Sequence, residues 1–149
     1  MALMAHLCAG WEIRPHARHD RAGIQQVYAS CLKEFPWPFA RHTEPEGLEY
    51  ALSYTTTLVA TEPSAGIVGF MILNTETGYL SHLFVDPDWR FCGIGSGLMD
   101  VGRVLCSTPL IMELDLRNAH ARAACAAAGW QEMATQDHVP IGHVRLTLS

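Results

Sequence analysis

The stretch "VDPDWRFCGIGSGLM" (Val85–Met99) decides how the chain reads. A proline, an arginine and three alternating glycines, Gly93, Gly95 and Gly97, lie between an apolar strand-like run and an apolar helix-like run. Glycines at such a junction keep side chains away from something the backbone must approach. Free N–H groups at a helix start, curled into a concave nest, form an anion site that the helix dipole reinforces. A plain strand-to-helix turn would use the same glycines.

Two phosphate-binding patterns can be tested against the stretch. A Walker loop needs GxxxxGK[ST], and no lysine follows these glycines. The dinucleotide fingerprint GxGxxG begins well with Gly93-x-Gly95, and Glu113 lies about 20 residues on, where a ribose-binding acid is expected. Leu98 nevertheless occupies the third glycine position, and Asp86–Cys92 intervene where that fingerprint needs a tight turn. A nucleotide-dependent oxidoreductase is therefore a weak alternative.

Working outward, "WEIRP" (Trp11–Pro15) reads as a first strand. From His19 to Phe35, residues Ile24, Val27, Tyr28, Cys31 and Phe35 share one helical face, with Asp20 as the expected N-cap. Pro36–Gly47 is a proline-rich loop, and Leu48–Tyr54 a shorter helix. "TLVAT" (Thr57–Thr61) and "IVGFMIL" (Ile67–Leu73), joined by "EPSAG", form a hairpin, and "YLSHLFV" (Tyr79–Val85) a further strand. A helix follows over Gly95–Cys106, then the strand "LIMELDL", a helix over Asn118–Ala128 stopped by Gly129, and a final strand in "IGHVRLTLS". Antiparallel strands followed by a β-α-β-α-β segment predict one α/β (α+β) domain over residues 11–149. It would have a mixed central sheet of about six to seven strands and about four helices, after a short extension over residues 1–10.

The 149 residues suit one domain with a real core, and 49% of them are apolar. A net charge of −5 argues against a nucleic-acid partner. No apolar run approaches the about 20 residues of a membrane span, and the N-terminus lacks the basic region of a signal peptide. The five cysteines show no CxxC pairing, which fits reduced thiols in a cytoplasm, and the eight histidines show no metal-ligand spacing.

Arg90-x-x-Gly93-x-Gly95, preceded by "LFVDP", resembles the acyl-CoA loop of the GNAT superfamily of N-acetyltransferases, Q/R-x-x-G-x-G/A. "IVGFMIL" resembles that family's G-x-I-V-G-F strand. In "LDLRNAHARAACAAAGW", Asn118, Ala121, Gly129 and Trp130 fall in register with a third family motif. The three motifs stand in the family's order over roughly Trp11–Trp130. The resemblance implies an acetyl-CoA-dependent N-acetyltransferase acting by direct attack of an amine in a ternary complex. It implies that the loop Arg90, Phe91, Cys92, Gly93, Ile94, Gly95 and Ser96 holds the CoA pyrophosphate. It also implies that Leu83, Phe84 and Val85 pair their backbone with the pantetheine arm and that Asn118 contacts it. A homodimer is common in such a family.

Several positions depart from the family pattern. Phe91 stands where the loop often has glycine, a substitution that a negative φ would accommodate. Cys125 takes the place of the tyrosine that often protonates the CoA thiolate. A thiol, with a pKa of ~8.5 against ~10 for a phenol, can donate a proton, but its side chain is much shorter, and simple packing in an alanine-rich helix is the alternative. Tyr79 replaces an acid often found at the start of its strand. Glu113 lies five residues before Asn118, where ribosomal-protein acetyltransferases of the superfamily carry their base. On a strand, Glu113 and Asp115 point one way, and each needs solvent or a partner such as Arg117. His82 is a further candidate base by its ordinary pKa. Strict alternation groups it with Leu80 and Phe84, but the family bulges this strand. Phe35, Trp37 and Phe39 either shape an acceptor wall or cap the core. The rival outside enzymology is a non-catalytic acyl-CoA-binding regulatory module, which the unusual Tyr79 and Cys125 keep open.

Overall fold

The computed structural model describes residues 2–6, 8–34, 45–133 and 139–149. Phe35, Trp37 and Phe39, read as an acceptor wall or a core cap, lie outside these residues. Strands β1 (Met4–His6), β2 (Trp11–Pro15), β3 (Thr56–Glu62), β4 (Gly66–Leu73) and β5 (Leu80–Val85) form an antiparallel sheet in that order. A second antiparallel sheet has the order β6 (Leu110–Asp115), β8 (His143–Leu148), β7 (Gln131–Glu132). The one mixed sheet expected from sequence is thus two sheets, which meet at a single parallel bridge, Tyr79–Ile111. The stretch read as an extension contributes the edge strand β1, and the two-residue β7 carries no apolar alternation by which sequence could reveal it.

Helices α1 (Arg21–Leu32) and α2 (Pro45–Tyr54) cover one face of the first sheet, and α3 (Ile94–Leu105) covers the other. The apolar spacing of Ile24, Val27, Tyr28 and Cys31 sets α1 against Val59, Phe70 and Ile72. Ile94, Leu98 and Val101 set α3 against Ile13, Leu58, Met71 and Leu110. Burial on both sides explains why β4 is a continuous apolar run and not an alternating one. α4 (Ala119–Ala127) leads through Gly129, at φ 98°, to Trp130, whose indole N–H donates to Met99 Sδ on α3 at 3.0 Å.

Asp20 does not cap α1. Its carboxylate, 3% exposed, accepts from the Ala17 N–H at 2.7 Å and from both terminal nitrogens of Arg14 at 2.7 and 2.9 Å. It ties β2 to the turn that starts α1, and the guanidinium holds this carboxyl below the usual carboxylate range.

Two details fix what the strands present to the site. His82 pairs with Ile72 and Leu80 with Leu73, so Ser81 is an extra residue in β5. The bulge leaves Leu80, Leu83 and Val85 packing toward α3, and His82 and Phe84 toward α1. At the N-terminus of α3, the Trp11 indole N–H donates to the Cys92 carbonyl at 2.8 Å and pins the preceding loop to β2. Gly97 allows this approach: a Cβ there would lie 2.7 Å from Trp11 Cη2 and 3.0 Å from Ile13 Cδ1. Both neighbours are buried ring and branched carbons with no room to yield. Gly97→Ala is expected to cost about 1–3 kcal/mol by overpacking, read as a lower melting temperature in calorimetry. An unchanged melting temperature would show that α3 does not need this contact.

Candidate active site

Beyond the Tyr79–Ile111 bridge, β5 and β6 separate, and a cleft of about 500 Å³ opens between them. Leu83, Phe84 and Val85 line one side and Met112–Asp115 the other, with the N-terminal turn of α3 and the small residues Ala121, Ala124 and Ala128 of α4 closing it. β5 is the edge of its sheet here. The Asp86 N–H donates to Val68 on β4 at 2.9 Å. By alternation, Leu83 and Val85 therefore turn their peptide groups toward the open side. Val85 O accepts from Cys31 Sγ at 3.2 Å, and burial pushes that thiol up to about 11.

The glycine-rich turn sits at one end. Asp86 opens it by accepting from the Asp88 N–H at 2.9 Å. Gly93, at φ 83°, precedes α3 and offers no side chain to cap it. The first helical bond runs from the Gly97 N–H to Gly93 O at 2.9 Å, so Ile94, Gly95 and Ser96 keep the unpaired amides of a helix start. Gly93, Ile94, Gly95 and Ser96 all line the cleft. A Cβ on Gly95 would meet only Val85 Cγ2, at 4.0 Å, so this glycine faces open space. The three alternating glycines thus serve three ends: a left-handed turn, an open helix start and a close helix–sheet contact.

Three loop residues differ from expectation. Phe91 has φ 64°, not the negative value anticipated, and its ring is 97% exposed at the cleft mouth. Arg90 lines the cleft, but its guanidinium engages Glu34 just beyond α1, at 2.7 and 2.5 Å, with Cys31 Sγ at 3.7 Å. Cys92 is not among the lining residues, and its carbonyl serves Trp11.

Glu113 lies across the cleft with its side chain 8% exposed. The Tyr79 hydroxyl donates to Oε1 at 3.0 Å, and Arg145 Nη2 donates to Oε2 at 2.7 Å. Arg145 is the residue directly opposite Glu113 in the β6–β8 register. Arg117, offered from sequence as one partner for these acids, grips Asp115 through Nε and Nη2 at 2.9 and 2.6 Å, and holds that carboxyl at about 2. Burial, then the adjacent Glu113 carboxylate, push the Tyr79 phenol well above its ordinary value, so it is a donor and not a base.

The remaining candidates divide. Cys125 lines the cleft from α4, and burial pushes its thiol up to about 11. Asn118 also lines the cleft, and its Oδ1 caps α4 by accepting from the Ala121 N–H at 3.1 Å. His82 does not line it: the bulge sends the ring, 2% exposed, between Tyr28 and Phe84, with Nδ1 2.8 Å from Ser81 Oγ. Arg145 and Glu34 were missed in the sequence because both depend on long-range pairing. Arg145 alternates with buried Val144 and Leu146, a signal for its face but not for the residue opposite. Among the described residues no cluster of three His, Cys, Asp or Glu side chains can hold a metal ion, and no helix is long and apolar enough to cross a membrane.

Comparison with known proteins agrees with this architecture. No curated protein matches the sequence. Among solved structures, the chain is similar to a GNAT-family acetyltransferase from Staphylococcus aureus Mu50. The TM-score is 0.71 at 21% identity, over 93% of this chain and 99% of that one. It is similar to YjaB in its apo form from Escherichia coli (TM-score 0.69, 20% identity, 93% and 97% covered). It is also similar to the ribosomal-protein-S18-alanine N-acetyltransferase of Escherichia coli (TM-score 0.65, 18% identity, 93% and 92% covered). At these identities the likeness is one of fold. The sequence model of the acetyltransferase (GNAT) domain matches residues 27–143, most of the chain and all of the cleft. With the split between β5 and β6 and the glycine-rich start of α3, this match makes the chain a member of the GNAT acetyltransferases.

Proposed function

We propose that the protein transfers an acetyl group from acetyl-CoA to the amine of a small molecule or protein, by direct attack within a ternary complex. The observation that carries this reading is a cleft with uncapped helix amides at one end and a buried, doubly hydrogen-bonded carboxylate at the other. Acetyl-CoA supplies the activated acetyl thioester. The Ile94, Gly95 and Ser96 amides hold its pyrophosphate, where dipole and free donors favour negative charge. The open edge of β5 at Leu83–Val85 aligns the pantetheine arm, and α4 packs it from the side of Asn118 and Cys125.

The acceptor nitrogen forms the new C–N bond as the C–S bond breaks, and the sulfur leaves with the electron pair. Glu113 receives the proton the nitrogen loses. Each of its oxygens accepts one bond from Tyr79 or Arg145, which leaves acceptor capacity on both. Arg145 and Tyr79 are positioning residues for this carboxylate. Burial pushes the Cys125 thiol up to about 11 and makes it a poorer acid than an ordinary thiol at ~8.5, so we give it a packing role. The sulfur leaves as a thiolate and takes its proton from bulk solvent, to which Glu113 returns the one it received. Most of the acceleration comes from holding two reactants in line.

Four measurements test this. Acetyl-CoA should raise the melting temperature by mass action, and Gly95→Val should remove that shift, because the added side chain meets only open cleft and not the core. Absence of any shift in the parent protein would end the donor reading. Saturable binding without release of free thiol across an amine panel would favour the binding-module alternative. Glu113→Gln should lower kcat/KM by roughly 10²-fold with little change in donor affinity, and near-normal turnover with an unchanged pH profile would remove Glu113 as the base. Cys125→Ala should be nearly silent in kcat, whereas Cys125→Tyr should lose about 1–3 kcal/mol of stability by overpacking. A large kcat loss in a stable Cys125→Ala protein would restore the thiol as a general acid.

A further inference from the structure

We propose that Phe91 is the stacking platform for the adenine base of the donor, so that its nucleotide half is gripped by an aromatic face and not by charge. This inference rests on the acetyl-CoA reading above. Phe91 lines the mouth of the cleft, yet 97% of it is exposed. It is also the one described residue other than glycine with positive φ, at 64°. An exposed phenyl group forgoes apolar burial, and a left-handed backbone is unfavourable for a bulky residue. A glycine would relieve both, so the free protein gains nothing visible from a ring here. Such departures concentrate where a ligand is clamped.

The ring also stands where the nucleotide must pass. Phe91 is three residues before the amides of Ile94–Ser96, at the outer end of the cleft. With the pyrophosphate on those amides and the pantetheine arm running inward along β5, the adenosine half has to leave outward, over the mouth. Charge offers little grip there. Arg90 is the one arginine or lysine among the described residues lining the cleft, and its guanidinium is committed to Glu34 through two bonds. Among the described residues lining the cleft, a 3′-phosphate on the ribose therefore meets no uncommitted arginine or lysine. A flat phenyl face can take any base by stacking, with no hydrogen-bond readout.

Isothermal titration of CoA, dephospho-CoA and 4′-phosphopantetheine against the parent protein and Phe91 variants tests this. CoA and dephospho-CoA should bind within about threefold of each other, as for an exposed phosphate without a firm ion pair. Loss of the adenosine portion should weaken binding roughly tenfold or more. In Phe91→Ala the CoA to 4′-phosphopantetheine affinity ratio should fall roughly tenfold, leaving the part owed to the phosphate that 4′-phosphopantetheine lacks, and Phe91→Trp should preserve or widen the parent's ratio. Phe91→Gly accepts the same backbone conformation without strain and should behave as Phe91→Ala, which separates stacking from loop geometry. An affinity ratio unchanged in Phe91→Ala, or a parent protein that does not distinguish CoA from 4′-phosphopantetheine, overturns the inference while leaving the donor reading standing. Binding of neither ligand by the parent protein removes both.

Discussion

The site depends on one constraint: among the described residues, the two sheets are joined by a single backbone bridge, just before β5 begins. The Ile111 N–H donates to Gly78 O at 2.9 Å, and Tyr79 bridges to Ile111. Gly78 makes the approach possible, since at φ 80° a Cβ would lie 2.2 Å from Pro109 O. Closure at this end and separation at the other create a wedge with unpaired strand edge inside it. An edge of this kind is normally a liability for aggregation, and here it lies inside the molecule, under α3 and α4. The residue that closes the wedge also furnishes the phenol bound to Glu113, so the geometry of the split and the position of the carboxylate are set together.

A second constraint orients the wall. Without the extra residue at Ser81, one face of β5 would carry Leu80, His82 and Phe84 together. The bulge reassigns the faces in mid-strand. Leu80 remains with Leu83 and Val85 on the α3 side, while His82 and Phe84 join the aromatic cluster with Tyr28 beneath α1. A single inserted residue thus removes a titratable side chain from the cleft and replaces it with aliphatic wall. Trp11 and Gly97 do the complementary work from β2, bringing the start of α3 close enough for its amides to face the same space.

Much of this was legible from local pattern. Strand and helix limits fell within a few residues of expectation because β4, β5 and β6 are strongly apolar and α1 and α3 strongly periodic. The glycine turn was legible because the conformations it requires restrict residue choice. What failed was long-range or tertiary. Asp20 has the composition of a helix cap, but an arginine on β2 competes for its carboxylate and wins by two charge-assisted bonds. Arg90 lines the cleft, and no local pattern encodes its pairing with Glu34, which lies 56 residues away. Glu113 needed solvent or a partner, and strand register, which no local pattern encodes, sets Arg145 opposite it. Phe91 shows the converse: local sterics disfavour a positive φ for phenylalanine, and the tight turn into α3 overrides that preference.

The ionisable groups around the cleft divide by how they meet desolvation. Tyr79 and Cys125 are driven toward their neutral, protonated forms, because neither faces a cation that outweighs the loss of water. Asp115 goes the other way, since Arg117 supplies two bonds to its carboxylate. Glu113 is the buried carboxylate with one donor per oxygen, a phenol on one side and a guanidinium on the other. That asymmetry matters for the proposed reaction. A phenol that cannot ionise near neutral pH returns no charge to the carboxylate, and an arginine that cannot deprotonate fixes its orientation. In the proposed reaction Glu113 takes the proton while held by these two donors, and the burden of rate falls on geometry: the wedge, the amides and the bulge that keeps its wall apolar.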